Sequence, residues 1–356
     1  MISSYFSGIF GELLLTLGIL FVIIGLAVHA RNANITKTKL SFVSISYGRI
    51  ILGIVAIIYF FDLLAGVPAV TGELQTYLAA TTWATAAKLL TVLSSIFIIS
   101  GALFALRDSR HNTLELAVVF LTALLFILLL ISSVNLVCAY FCIVGFSLNL
   151  YVLIFSDTVS GSSREAGIKY FYLSSLSAGL MLYGIFILYG VFGSATYLDI
   201  ASAVIESSFT SSNNSLIELG LTFFLFGLFF KLSAAPCHMW APEVYDGAPN
   251  NVTAFFVLPV KIGVLAFLLF FLSLSNRFHE LCTAKLVFAA SLSLILGSIG
   301  AVTATRTKKF LAYASISQMG FLLLGLVAGG PVGYEATAIY LIFYVLANVI
   351  FLQIFL

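Results

Sequence analysis

An all-α, polytopic transmembrane helix bundle of about eleven spans is the expected architecture of this chain, and three features lead to it. Of its 356 residues, 62% are hydrophobic and 8% charged, and the mean hydropathy of +1.16 lies far outside the range of water-soluble domains. Apolar stretches of membrane-spanning length recur almost without pause. These stretches lack the polar–apolar alternation of a membrane barrel strand, so helices must satisfy the backbone donors and acceptors.

The first span, about 9–28, follows residues 1–8, which carry no basic region, and its apolar run continues to membrane length; it serves as its own insertion signal. The second, 42–61, is followed by Asp62, the third, 85–106, by Arg107 and Arg110, and the fourth, 115–133, opens on Glu115. The fifth, 135–156, carries Cys138 and Cys142. The sixth, 166–192, is introduced by the charged turn REAGIKYF from Arg164 and contains Ser175 and Gly179, small residues four apart that permit close helix contact. The seventh and eighth, 216–235 and 251–275, flank the proline-punctuated insert PCHMWAPEVYDGAP. The ninth, 283–304, follows Arg277, the tenth, 310–328, follows RTKK from Arg306, and the eleventh, 334–356, carries Tyr340, Tyr344, Asn348 and Gln353. The polar stretch 194–215, rich in Ser, Asn and Thr, reads as a surface loop.

The net charge of +2 says little, but its distribution sets an orientation. Segments following odd-numbered spans hold Arg31, Lys37, Lys39, Arg49, Arg107, Arg110, Arg164, Lys169, Arg306, Lys308 and Lys309, whereas those following even-numbered spans hold Lys88, Arg277 and Lys285. The odd-numbered loops therefore face the cytoplasm or matrix and the N-terminus the other side. Asp62, Glu73, Asp199, Glu206, Glu218 and Glu335 fall on that other side.

Several chemistries are disfavoured. Cys138, Cys142, Cys237 and Cys282 form no CxxC pair and read as small apolar residues, not as a disulfide framework or metal site. There is no GxxxxGK[ST] for a nucleotide-driven pump, and no pair of membrane histidines suited to haem. His29, His111 and His279 sit at span ends and read as interfacial. The 34 phenylalanines read as the compositional drift of an organellar genome.

Two lysines ask for a function. Lys231 lies in GLTFFLFGLFFKLSAAP, five residues before Pro236, and Lys261 lies in VTAFFVLPVKIGVLAFLLFF, two after Pro259. A lysine at the bilayer centre costs on the order of 2.5–3.5 kcal/mol and normally faces a water-filled cavity or a partner. Each proline removes a backbone donor and loosens the helix beside its lysine. Desolvation favours the neutral amine, so a fixed charge becomes a group able to gain and lose a proton. His238 begins the insert just after the expected helix break and is a further relay candidate.

Together, FKLSAAPCHMWAPEVYDGAP, VTAFFVLPVKIG, REAGIKYF and KKFLAYASISQMGF resemble, in order and spacing, the antiporter-like membrane subunits of respiratory complex I, the subunit 2 family of NADH:ubiquinone oxidoreductase. The resemblance covers roughly residues 130–350. It implies an N-terminal three-helix segment (1–114), a first five-helix repeat (115–250, closed by 251–275) and an inverted, incomplete second repeat (276–356). It also implies helix breaks at Pro236 and Pro259 and a proton pathway through Lys231, Lys261 and His238. Flavin, iron–sulfur clusters and quinone would belong to other subunits, with no cofactor or metal in this chain. The implied partners are the other membrane-arm subunits and lipid, with no nucleic acid, and the implied setting is the mitochondrial inner membrane, with a bacterial plasma membrane as the alternative.

Two departures bear on that pathway. Where the family places a glutamate in the fifth span, this chain has Val144, which deprives Lys231 of an acidic partner. The family also continues for three further helices, so a separate polypeptide is expected to supply them. Conduction of protons coupled to NADH:ubiquinone electron transfer is the leading function; a structural subunit with a decayed channel, and a subunit of a multisubunit cation/proton antiporter, are the alternatives.

Overall fold

The structure, a computed structural model, describes residues 9–30, 37–65, 77–79, 81–105, 116–156, 161–206 and 211–355. Arg31, Glu73, Arg107, Arg110, His111 and Glu115, which entered the reading above, lie outside them. Among the described residues the chain is helical apart from short turns and two isolated bridges.

The eleven expected spans correspond to α1 (Phe10–Ala30), α2 (Lys37–Ala65), α3 (Thr82–Ala105), α4 (Leu116–Ser132), α5 (Leu136–Ile154), α6 (Gly161–Phe192), α8 (Ser211–Leu232), α10 (Asn250–Ser273), α11 (Asn276–Thr303), α12 (Thr307–Ala328) and α13 (Gly330–Phe355). Nine are long and apolar enough to cross a membrane, and α1 and α4 are shorter apolar helices. Two helices were not expected. The stretch read as the loop 194–215 contains α7 (Tyr197–Glu206) and the start of α8, because Tyr197, Ile200 and Ala201 turn one apolar face into the bundle. The insert contains α9 (Trp240–Gly247).

The link between α4 and α5 is three residues long and is held by backbone on both sides. Ala79 N–H donates to Ser132 O (2.7 Å) and Val134 N–H to Tyr77 O (2.8 Å), while Leu136 N–H reaches Ala195 O and Tyr197 N–H reaches Val134 O (both 2.9 Å). Asn135 caps α5 by accepting from the Val137 N–H at 2.9 Å. The polar backbone of this link is thus satisfied within the protein.

The almost wholly buried α10 is the central post, packed against α3, α4, α8, α11 and α13. Around it, α6 packs extensively on α8, and α11 on α12. The α6–α8 contact depends on glycine. A Cβ at Gly184 would stand 2.6 Å from the Gly220 carbonyl oxygen, closer than any real contact. The expected small-residue contact at Ser175 and Gly179 is not where the helices meet: both face outward, and a Cβ at Gly179 would meet nothing within 4 Å. The outer faces of α6 and α11 present Tyr172, Leu176, Phe186, Phe288 and Ile299, a surface suited to lipid.

Lys88 is a second correction. Read as a surface cation after the second span, it sits in the second turn of α3 with its side chain fully buried, paired with Glu12 of α1 at 2.5 Å.

Candidate functional site

Lys231 occupies the last turn of α8, which stops at Leu232. Ser233 adopts φ +55°, and residues 233–239, including Pro236, are not helical before α9 resumes the path. The interruption is satisfied by neighbours. Ala235 N–H donates to Ser293 Oγ of α11 (2.8 Å), and the Trp240 indole N–H donates to Phe230 O (3.0 Å).

The buried ammonium of Lys231 donates to Ser174 Oγ of α6 at 2.6 Å. Three rings surround it, those of Phe230, Tyr170 and Phe146, with centroids 5.4, 5.5 and 5.7 Å from Nζ. Among the described residues no carboxylate pairs with it. Ring faces attract a cation through their quadrupole, by about 2 kcal/mol or more when the site is desolvated. Val144 lines a lateral cleft of about 210 Å³ between α5 and α6, together with Ser147, Tyr140, Tyr151, Tyr170 and the same Ser174.

Lys261, within α10, repeats the pattern. A π-helical turn, Phe256–Val260, absorbs Pro259 without ending the helix. Such a turn leaves backbone carbonyls free, and Tyr344 of α13 donates to one of them, Val257 O, at 2.8 Å. The buried Lys261 ammonium donates to Ser315 Oγ of α12 at 2.8 Å. Ser315 in turn lines a cleft of about 320 Å³ between α12 and α13, with Gln318, Tyr340, Tyr344 and Asn348. Each lysine therefore sits beside an irregular helix, rests on a serine of the next helix, and reaches a lateral cleft through that serine.

Between the two lie aromatic side chains. Trp240 is 5.3 Å from Tyr170, 5.5 Å from Phe256 and 6.1 Å from Tyr245 by ring centroid. The Tyr170 hydroxyl lies near Ser174, and the Tyr245 hydroxyl near Ser233 and Ser315 without a well-formed bond to either. His238 is 9% exposed with the Pro236 backbone close to its ring, and among the described residues its Nδ1 has no well-formed hydrogen bond and none ties the ring to either lysine.

On the side of the odd-numbered loops, an ionic cluster fastens α9. Lys169 Nζ contacts Glu243 (2.6 Å) and Glu165 (2.7 Å), Arg306 contacts Asp246 (2.6 Å), and Lys308 donates to Ala248 O (2.7 Å).

The serines and tyrosines at the lysines were the part that sequence reasoning missed. Tyr170 and Ser174 lie within and just after REAGIKYF, and Ser315 lies in KKFLAYASIS, segments read chiefly as packing. Their partners come from helices more than fifty residues away, as with Lys231 and Ser174.

Interrupted helices beside buried cations define a class of membrane bundles that handle ions. Residues 133–356 match the family described as NADH:quinone oxidoreductase/Mrp antiporter, TM, and the chain belongs to that family. It is 36% identical over 261 residues to NADH-quinone oxidoreductase subunit N of Ruthia magnifica subsp. Calyptogena magnifica, covering 71% of this chain and 54% of the relative. To subunit N 1 of Acidiphilium cryptum it is 40% identical over 250 residues, covering 68% and 50%. The chain spans about half the length of the curated relatives it matches. A chain of the respiratory complex I from Thermus thermophilus with bound Aureothin superposes with a TM-score of 0.77 and 25% identity, covering 96% of this chain and 69% of that one. A chain of the Mrp complex from Dietzia sp. DQ12-45-1b shares the fold, with a TM-score of 0.81 at 18% identity, covering 98% and 63%. The two curated relatives are bacterial and carry the subunit N name; they lend no support to the subunit 2 designation or to a mitochondrial setting.

Proposed function

We propose that this chain is an antiporter-like membrane-arm subunit of an NADH:quinone oxidoreductase, and that Lys231 and Lys261 carry protons within it. The observation that carries this reading is the repeated arrangement itself: two buried ammonium groups, each at an irregular helix and each bonded to a serine that borders a cleft. A proton leaving Lys231 passes by way of Ser174 to water in the α5–α6 cleft, and one leaving Lys261 passes by way of Ser315 to the α12–α13 cleft. Tyr170 and Tyr245 stand between the two neighbourhoods. His238 is a station toward one surface.

Redox chemistry belongs to partner subunits that hold flavin, iron–sulfur clusters and quinone, and this chain holds no cofactor. The N-terminal three helices, a first five-helix repeat and part of a second form its internal organisation. A helix from a partner chain packs over the polar cleft between α12 and α13. The odd-numbered loops face the cytoplasm, and the bacterial relatives support a plasma membrane over the mitochondrial inner membrane.

A second reading, a structural subunit whose channel has decayed, is favoured by Val144 and by the Trp240 and Phe256 rings between the lysines. A density map of the assembled complex at side-chain resolution separates the two. Ordered water joining Ser174 and Tyr170 to Tyr245 and Ser315 is the expected result; dry aromatic packing throughout that space supports the decayed channel.

A further inference from the structure

We propose that Glu12 and Lys88 form a second proton-exchange site, separate from Lys231 and Lys261 and facing the opposite membrane surface from α9, with Asp62 as its outlet. The pair lies outside residues 133–356, the part matched to the family.

The geometry is that of a buried site and not of a surface ion pair. Glu12 is in the first turn of α1 and Lys88 in the second turn of α3, about 9 Å of helix rise from its start. Their side chains are 3% and 0% exposed, with Oε1 and Nζ 2.5 Å apart. Ser132 Oγ, at the end of α4, stands 3.3 Å from the same oxygen. The Tyr59 ring of α2 lies under the ammonium, 5.6 Å from Nζ to centroid. Glu12 Oε2 and the Tyr59 hydroxyl are both buried and, among the described residues, lack a well-formed hydrogen bond, although the hydroxyl lies near Glu12. Asp62, one turn further along α2, is half-exposed and within electrostatic reach of both charges.

A buried pair whose task is only to fasten two helices is expected to saturate its donors and acceptors, because each unpaired polar atom in the interior costs free energy. Here, among the described residues, the ammonium has one anionic partner and the second carboxylate oxygen has no hydrogen bond. Moving one proton from Nζ to Oε1 across the 2.5 Å contact turns the ion pair into a neutral acid–amine pair. The acid can then release that proton past the Tyr59 hydroxyl to Asp62, and the amine can take one up, so proton number balances.

Among the described residues, the polar groups found near the pair are few. From α2 come Tyr59 and Asp62, and from α4 the Ser132 hydroxyl; Arg49 of α2 is roughly ten residues, or ~15 Å, back along the helix. From α10, Ala266 O accepts the Trp83 indole N–H of α3 at 3.4 Å, and Lys261 is committed to Ser315. On α3 itself, Thr91 donates to Lys88 O at 2.7 Å.

Dicyclohexylcarbodiimide tests this in membranes carrying the full chain, because it adds a protonated carboxyl across its C=N bond and leaves a stable N-acylurea. Mass spectrometry should find Glu12 labelled in neutral medium, with no label at that position in Glu12→Gln. Lys88→Arg keeps a cation and the helix contact but cannot surrender a proton, and it should lower Glu12 labelling several-fold. An unlabelled Glu12 in the wild-type chain, or Lys88→Arg labelled to the wild-type level, would make the pair a structural clasp and overturn the proposal. The readout needs no pumping, so it stands or falls apart from the roles given to Lys231 and Lys261.

Discussion

At Lys231 a single side chain holds most of the chemistry. Its ammonium has one hydroxyl and three ring faces, and the cleft lined by Val144 lies beside that hydroxyl. A hydrogen bond to a charged group contributes about 1.5–3 kcal/mol, so Ser174→Ala leaves the charge in place and removes its connection to the cleft. Proton pumping per assembled complex should fall several-fold, with near-normal assembly, when measured in vesicles driven by quinone reduction. Unchanged pumping would place Ser174 off the route. The two mid-membrane lysines were legible in the sequence because a charge in a long apolar run is conspicuous. Lys88 was not: TTWATAAK looks like the polar edge of a span, and its partner Glu12 is two helices earlier in the chain. Serines at the lysines were equally hidden, since hydroxyls are tolerated in any membrane helix when they bond their own backbone, as Ser315 does to Ala312 O.

Among the elements, α9 is the most informative. Trp240 closes the break by bonding Phe230 O and stacking on the Phe230 ring at 5.2 Å, whereas its far end is held by exposed ion pairs. Removing a buried aromatic costs about 3–5 kcal/mol, while an exposed ion pair contributes about 0.2–1 kcal/mol. Trp240→Ala should therefore sharply lower the amount of assembled complex, and Asp246→Asn should barely alter it, as read on native gels. Equal losses would mean that the ionic cluster, and not the indole, holds the break. Proline made the break legible, but not its repair by Ser293 and Trp240, because the groups that satisfy a broken helix come from other helices. The short α7 was missed for the opposite reason: Ser and Asn at its borders masked three buried apolar residues. On α13, Asn348 bonds Tyr344 O at 2.8 Å and borders the polar cleft with α12. A cysteine at Asn348 should crosslink to a membrane helix of a partner chain; reaction with lipid-phase probes alone would leave that cleft facing lipid.

For the whole molecule, composition was enough to give the class, the number of spans and their order, because length and apolarity alone decide what crosses a bilayer. Which helix stands at the centre was not legible. α10 is buried on all sides and α6 largely exposed, yet both are long apolar runs of similar make-up. The central post matters to the proposed function because it carries Lys261. The most direct test of proton carriage is Lys231→Met in the assembled complex, with proton uptake counted per quinone reduced in sealed vesicles. Fewer protons per quinone at a normal level of assembly is the predicted result. An unchanged proton count per quinone would contradict it and leave Lys231 a structural charge.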